Sequence, residues 1–226
     1  MTSKQPSQPE TWHHGLIARW WAEFHLEGPE IAYFQRFVQE GQPGLDLACG
    51  TGRLLIPWLK AGLDVDGCDI SADMLALCRE RAEREGLAPT LYAQAIHELD
   101  LPRRFRTVVV CGGFGIGGNR DHDVEGLRRI FEHLEPGGLL LLDNEVPYND
   151  ADWWRLWSKA GRAELPEPFE VLGEGRRTAS DGMTQELVLM IEGSGFGEIE
   201  LYGDYTEGEP TSDTEFVVFH ARKPRT

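Results

Sequence analysis

Between Leu45 and Arg53 the chain reads LDLACGTGR, which puts an acid, small residues and two glycines within nine positions. Gly50 and Gly52 can take positive φ and let backbone approach a ligand closely, while Ala48 keeps the turn narrow. Asp69 lies 17 residues past Gly52, at the end of the alternating run DVDGCD. A carboxylate at that place can accept both hydroxyls of a ribose. The spacing from Gly50 through Gly52 to Leu55 lacks the third glycine of the dinucleotide fingerprint, which counts against a nicotinamide cofactor. A lone GxG is often only a turn, so loop and acid are read together.

Two aromatic-rich segments flank this centre. Thr11–Tyr33 (TWHHGLIARWWAEFHLEGPEIAY) holds three Trp, three His, one Phe and one Tyr. Trp12, Leu16, Arg19 and Trp20 fall at helical spacing, as a helix docked on a sheet requires. The alternative is a lid with Trp20 or Tyr33 facing a pocket, and with His13 and His14 as weak candidates for a general base. His97 reads as a loop residue. Residues 144–169 (NEVPYNDADWWRLWSKAGRAELPEPF) hold Trp153, Trp154 and Trp157, spaced to share a helix face. They pack beneath a cap or form an aromatic wall for a flat or cationic molecule. Glu145 and Tyr148 offer polar contacts there. The loop CGGFGIGGNRDHD (residues 111–123) is glycine-rich, either a solvent-exposed connection or a flexible piece that brings Phe114 to a substrate.

The elements that must position these residues alternate. Strands are expected at Leu45–Ala48, Asp64–Asp69, Thr90–Ala93, Phe105–Cys111 and Leu139–Asp143. The continuous apolar runs VVV and LLLL suit strands buried on both faces. Helices are expected from Gly52 to Ala61, from the Ser71 cap to Glu85, and from Asp121 to Glu135, ended by glycine or by Pro136-Gly137-Gly138. Such alternation means an α/β doubly wound sheet. The tail differs: a helix over Thr184–Glu192 precedes strands at Glu198–Gly203 and Glu215–Ala221, which lack an intervening helix and so pair antiparallel.

At 226 residues, 41% of them hydrophobic, the chain suits one domain, residues 11–226, after a disordered tail over residues 1–10. A net charge of −16 repels phosphates and anionic lipid, so nucleic acid and membranes are poor partners. No apolar run reaches the length of a membrane span, and the N-terminus lacks a signal peptide. Cys49, Cys68, Cys78 and Cys111 show no metal-ligand spacing, and read as reduced thiols of a cytoplasmic protein without a metal.

LDLACGTGR, then VDGCDISADMLALCRERA, FRTVVVCGGF and LEPGGLLLLD, in order and correctly spaced, resemble the successive motifs of class I S-adenosylmethionine-dependent methyltransferases of the small-molecule type. The resemblance covers roughly residues 44–145, and more weakly GSGFGEIELYGDY near the end. It implies a Rossmann-like, seven-stranded, mostly parallel sheet with an antiparallel final hairpin and helices on both faces. It also implies a helical lid over residues 11–40 and a small cap at about 145–183. The cofactor implied is S-adenosylmethionine. The loop Asp46, Ala48, Cys49, Gly50, Thr51, Gly52 and Arg53 would pass beneath its methionine part. Asp69 would bind the ribose hydroxyls, and Ile70 and Met74 would pack on the adenine. Ala95 and Ile96 would flank the adenine edge, Cys111 and Gly112 would floor the sulfonium, and Tyr33 would cover it. The substrate pocket would take Trp20, Phe114, Glu145 and Tyr148.

Two departures stand out. The family often carries Asp after the third strand to bond the adenine amino group, where this chain has Ala95. Residues 171–184 are also short, so either the cap is reduced or a segment is missing from the sequence. The implied activity is methyl transfer to a small-molecule acceptor by in-line displacement, driven by alignment and water exclusion. The alternatives are a non-catalytic binder of the same cofactor, a nicotinamide oxidoreductase and a nucleic-acid methylase. Charge and the missing Asn-Pro-Pro-Tyr-like stretch weaken the last.

Overall fold

The computed structural model describes residues 11, 13–24, 26–115, 119–145, 154–156, 174–176, 183–211 and 214–225. The expected tail at residues 1–10, together with Trp12, Tyr148, Trp153 and Trp157, lies outside these.

Along the chain run α1 (Gly15–Phe24), α2 (Pro29–Glu40), β1 (Gly44–Leu47), α3 (Leu55–Lys60), β2 (Val65–Asp69), α4 (Ala72–Arg84) and β3 (Leu91–Ala93). A 3-10 turn (Ile96–Glu98) follows, then β4 (Phe105–Val110), α5 (Arg120–His133) and β5 (Leu134–Glu145). The tail supplies β6 (Trp154–Leu156), β7 (Glu174–Arg176), α6 (Met183–Gly193), β8 (Gly197–Gly203) and β9 (Phe216–Arg222).

Seven strands form one sheet in the order β3-β2-β1-β4-β5-β9-β8. The first five pair in parallel, while β9 runs antiparallel between β5 and β8. This is the Rossmann-like arrangement with a final antiparallel hairpin. The apolar strands are buried on both faces because helices cover both. On one side Leu45, Leu47, Val108 and Val110 pack with Leu127 and Ile130 of α5 and Leu187 and Ile191 of α6. On the other, Val65, Val109 and Leu141 meet Phe34 and Val38 of α2 and Trp58 of α3. Alternate residues of one strand thus serve two cores.

Boundaries moved slightly. The helix expected from Gly52 begins at Leu55, after a turn. One expectation is corrected. Residues 154–156 are not helical: they form a strand paired antiparallel with Glu174–Arg176, Trp154 opposite Arg176. These two segments form a separate two-stranded sheet.

Candidate active site

β1 and β4 lie side by side, and the chain leaves them in opposite lateral directions, which makes the switch point of the sheet. A cleft of about 1090 Å³ opens there, beyond the carboxyl ends of β1, β2, β3 and β4. The loop after β1 builds its base. Ala48, Gly50 and Gly52 all take positive φ, at 63°, 53° and 82°. Gly50 faces open space, so a side chain there would be strained without touching protein. Gly52 points inward, and a Cβ would come within 2.6 Å of Cys78 Sγ and 3.0 Å of Ile56. Gly50 thus leaves room for a ligand, while Gly52 lets α4 close on the loop.

The Asp69 carboxylate is held at two points. Its Oδ2 accepts from Gly50 N–H at 2.8 Å and its Oδ1 accepts from Ser71 N–H at 2.8 Å. Each oxygen keeps a second lone pair, and the pair of oxygens is fixed in the cleft wall. Burial pushes the Asp69 carboxyl up, against the pull of the Ser71 and Gly50 amides. Asp46 lies deeper, 2% exposed, and its Oδ2 has no hydrogen-bond partner among the described residues. Burial and then the neighbouring Asp69 charge push its carboxyl up to about 8, with the Leu55 backbone amide pulling the other way.

The floor at the end of β4 hangs on Asp143. This carboxylate, 3% exposed, accepts from Cys111 S–H at 3.0 Å, from Gly112 N–H, and from Tyr205 O–H at 2.7 Å. Arg53 reaches Cys111 Sγ at 3.4 Å and pairs with buried Glu30 of α2. A chain of buried polar contacts therefore links α2, the glycine loop, β4, β5 and the β8–β9 turn. Sequence reasoning missed Glu30, Asp143 and Tyr205, because nothing local marks an acid as the partner of residues 32 and 62 positions away.

Helix α1 crosses the first turn of α4. Ser71 Oγ accepts from Met74 N–H as an N-cap and donates to the His13 carbonyl, while Gly15 N–H donates to Asp73 at 2.7 Å. Trp21 lines the cleft. At 100° per helical residue, that orientation turns Trp20 aside, edge-on to Trp21 and beside Phe24.

Most expected site residues meet at the cleft: Asp46, Ala48, Cys49, Gly50, Thr51 and Arg53 from the first loop, then Asp69, Ile70 and Met74, then Ala95, Ile96, Cys111, Gly112 and Phe114. His13 and His14 line it too, with His13 tied to the Asp69–Ser71 end. Four of the expected residues lie away from the cleft wall. Gly52 packs against protein, as above. Tyr33 is buried under β9, its hydroxyl 2.9 Å from His220 Nε2 and its ring against Phe34, Phe37 and Tyr205. Trp20 and Glu145 are not among the cleft-lining residues; Glu145 ends β5 paired with Phe216. The departure after β3 is also clearer. Gln94 directly follows the strand, and its amide exchanges both hydrogen bonds with the Asp100 backbone, at 2.8 and 3.1 Å. Residues not foreseen on the wall include Trp21, Asn119, His122 and Asp123.

Comparison with known proteins agrees with this geometry. A methyltransferase-domain family matches residues 45–138, spanning the glycine loop, the Asp69 strand end and β4. The sheet order is that of the class I S-adenosylmethionine-dependent methyltransferase fold. A provisionally named methyltransferase of Geobacillus sp. (strain WCH70) is 28% identical over 244 aligned positions, covering 92% of this chain and 98% of that one. A dTDP-3-amino-3,4,6-trideoxy-alpha-D-glucopyranose N,N-dimethyltransferase of Streptomyces venezuelae is 30% identical over 135 positions, 58% of this chain and 55% of the relative. Among solved structures, the glycopeptide N-methyltransferase MtfA superposes with a TM-score of 0.60 at 28% identity, over 87% of this chain and 95% of the other. The methyltransferase fold is therefore shared over most of the chain. No group of metal-ligating side chains occurs among the described residues, and no described helix is long and apolar enough to cross a membrane.

Proposed function

We propose that this chain transfers a methyl group from S-adenosylmethionine to a small-molecule acceptor. The observation that carries the reading is the pair of carboxylates in one cleft wall: Asp69, fixed by Gly50 and Ser71, and Asp46, buried with an orphaned oxygen. The two match a ligand with a ribose at one end and an ammonium at the other. An unpaired buried carboxyl is costly to keep, and a cationic partner removes that cost. Ile70, Met74 and Ile96 supply apolar walls for a base next to the ribose.

When bound, S-adenosylmethionine supplies an electrophilic methyl group on a sulfonium. The protein's part is binding, orientation and exclusion of water. The glycine loop lets backbone approach; Asp143 fixes the Cys111–Gly112 floor; α1, held by Ser71 and Asp73, serves as the lid. We assign no general base. His13 is held at the ribose end, and a neutral amine acceptor becomes a methylammonium on transfer, which can lose its proton to water. The relatives named for amino-sugar and glycopeptide N-methylation make small amines the first acceptors to screen.

Calorimetric titration tests the reading. S-adenosylmethionine and S-adenosylhomocysteine should bind, NAD should not, and isotopic methyl should pass to a member of an amine panel. Binding without transfer to any acceptor supports a non-catalytic cofactor binder. Absence of binding sinks the assignment.

A further inference from the structure

The ribose acid fixes the direction of the cleft. From Asp69 the wall continues through Ile70 and Met74 to the 3-10 turn after β3, so a base attached to the ribose extends toward residues 95–98. The first turn of α5 closes that end. Gly126 of α5 is packed so tightly there that a Cβ would come within 2.9 Å of Ile96, and His122 stacks on His97 with ring centroids 3.8 Å apart and planes 14° apart. Both imidazoles line the cleft, and so does Asp123 beside them. Glu98 lines it as well, but its side chain is 68% exposed and directed at His97. Gln94, the first residue after the strand, is committed to the Asp100 backbone.

An adenine presents an exocyclic amine, a donor, on the edge remote from the ribose. A recognising group there must accept. Of the side chains at this end, Asn119 Oδ1 is committed to the α5 N-cap and Glu98 faces solvent, while each stacked imidazole offers at most one in-plane nitrogen as an acceptor. Asp123 is a pure acceptor when ionised, with two oxygens, and it lies half-buried in the cleft wall.

We propose that Asp123, carried on the first turn of α5 and walled by the His97–His122 stack, reads the adenine amino group and sets the selectivity for adenine over other purines. This rests on the cofactor reading above. The acceptor has moved from the end of β3, where Gln94 is otherwise engaged, to the facing helix. Burial pushes the Asp123 carboxyl up while His122 and His97 pull it down, as expected for a half-buried acid near both imidazoles.

The test compares S-adenosylhomocysteine with S-inosylhomocysteine, in which the amine is replaced by a carbonyl oxygen, by calorimetry on the wild type, Asp123→Ala and Asp123→Asn. The wild type should prefer the amine by about tenfold or more, the scale of a hydrogen bond to a charged group. Asp123→Ala should lose most of that preference, by weakening the adenine ligand alone. Asp123→Asn, whose amide can also donate, should shift the preference toward the inosine ligand. His122→Ala should weaken both ligands in parallel. An unchanged preference in Asp123→Ala, or equal weakening of both ligands, overturns the role of Asp123 while leaving the cofactor reading intact. Failure of the wild type to bind either ligand refutes the cofactor reading itself, and this proposal with it.

Discussion

The buried acid at the base of the cleft makes the sharpest prediction. With its carboxyl pushed up to about 8, Asp46 is about nine-tenths protonated at pH 7 before a ligand arrives. A ligand ammonium against Oδ2 favours the carboxylate, so binding must expel close to one proton. If the bound acid ionises fully, linkage gives an affinity that rises about fiftyfold from pH 6 to pH 8, roughly 2 kcal/mol, and levels off above. The assay is calorimetry with S-adenosylhomocysteine at several pH values, each in two buffers of different ionisation heat. The difference between buffers counts the protons released. Asp46→Asn, a neutral isostere of the protonated acid, should fold normally, bind more weakly at pH 8, and lose both the slope and the buffer dependence. Asp69 is adjacent and also shifted upward, so the variant separates the two acids. Flat affinity with buffer-independent heat would falsify the assignment of Asp46 to a cationic group. A slope that survives in Asp46→Asn transfers the proton to another site.

Four further outcomes are expected. Asp69→Ala should lower S-adenosylhomocysteine affinity by about 1.5–3 kcal/mol, since two ribose hydroxyls lose a charged acceptor, and should also lower the melting temperature because the Gly50 and Ser71 amides lose their partner; an equal affinity places the ribose elsewhere. Gly50→Ala and Gly52→Ala should part company in thermal unfolding: the first costs only the strain of a left-handed residue, about 1 kcal/mol, while the second adds overpacking against Cys78 for a total of about 2–4 kcal/mol. Equal melting temperatures contradict the inward packing of Gly52. Ser71→Ala removes the α4 cap and the tie to the His13 carbonyl, so it should cost about 1 kcal/mol and expose α1 to limited proteolysis; unchanged cleavage means the helix is held otherwise. Stability without ligand should also show two opposed pH dependences. Asp46, raised in the fold, makes stability fall as pH climbs from about 4 to 8; His220, pushed down to about 4 chiefly by burial, makes it rise from about 4 to 6.5. Urea melts of Asp46→Asn and His220→Gln should each remove one limb, and an unaltered profile rejects the corresponding group.

What the sequence determined by itself is local. Alternation of apolar strand runs with capped helical patterns defines a doubly wound sheet, because period and punctuation are properties of neighbouring residues. The same holds for the glycine loop and Asp69, whose meaning lies in their place relative to strand ends. Two neighbouring tryptophans were harder: helical spacing alone points no residue toward a cleft, and the docking of α1 on α4 brought Trp21, not Trp20, to the wall. Tyr33 looked like a lid because it is aromatic and precedes β1, yet the antiparallel β9 supplies His220 as its partner, 187 residues on. Tertiary structure alone decided the rest. Asp143 becomes the anchor of the cleft floor only when β5 lies beside β4 and the β8–β9 turn delivers Tyr205. Asp123 reaches the cleft only because α5 packs on the turn after β3. An acid in a sequence has a type and a position, but its partner, its proton and its ligand are set by which distant groups the fold brings to it in a place water cannot fill.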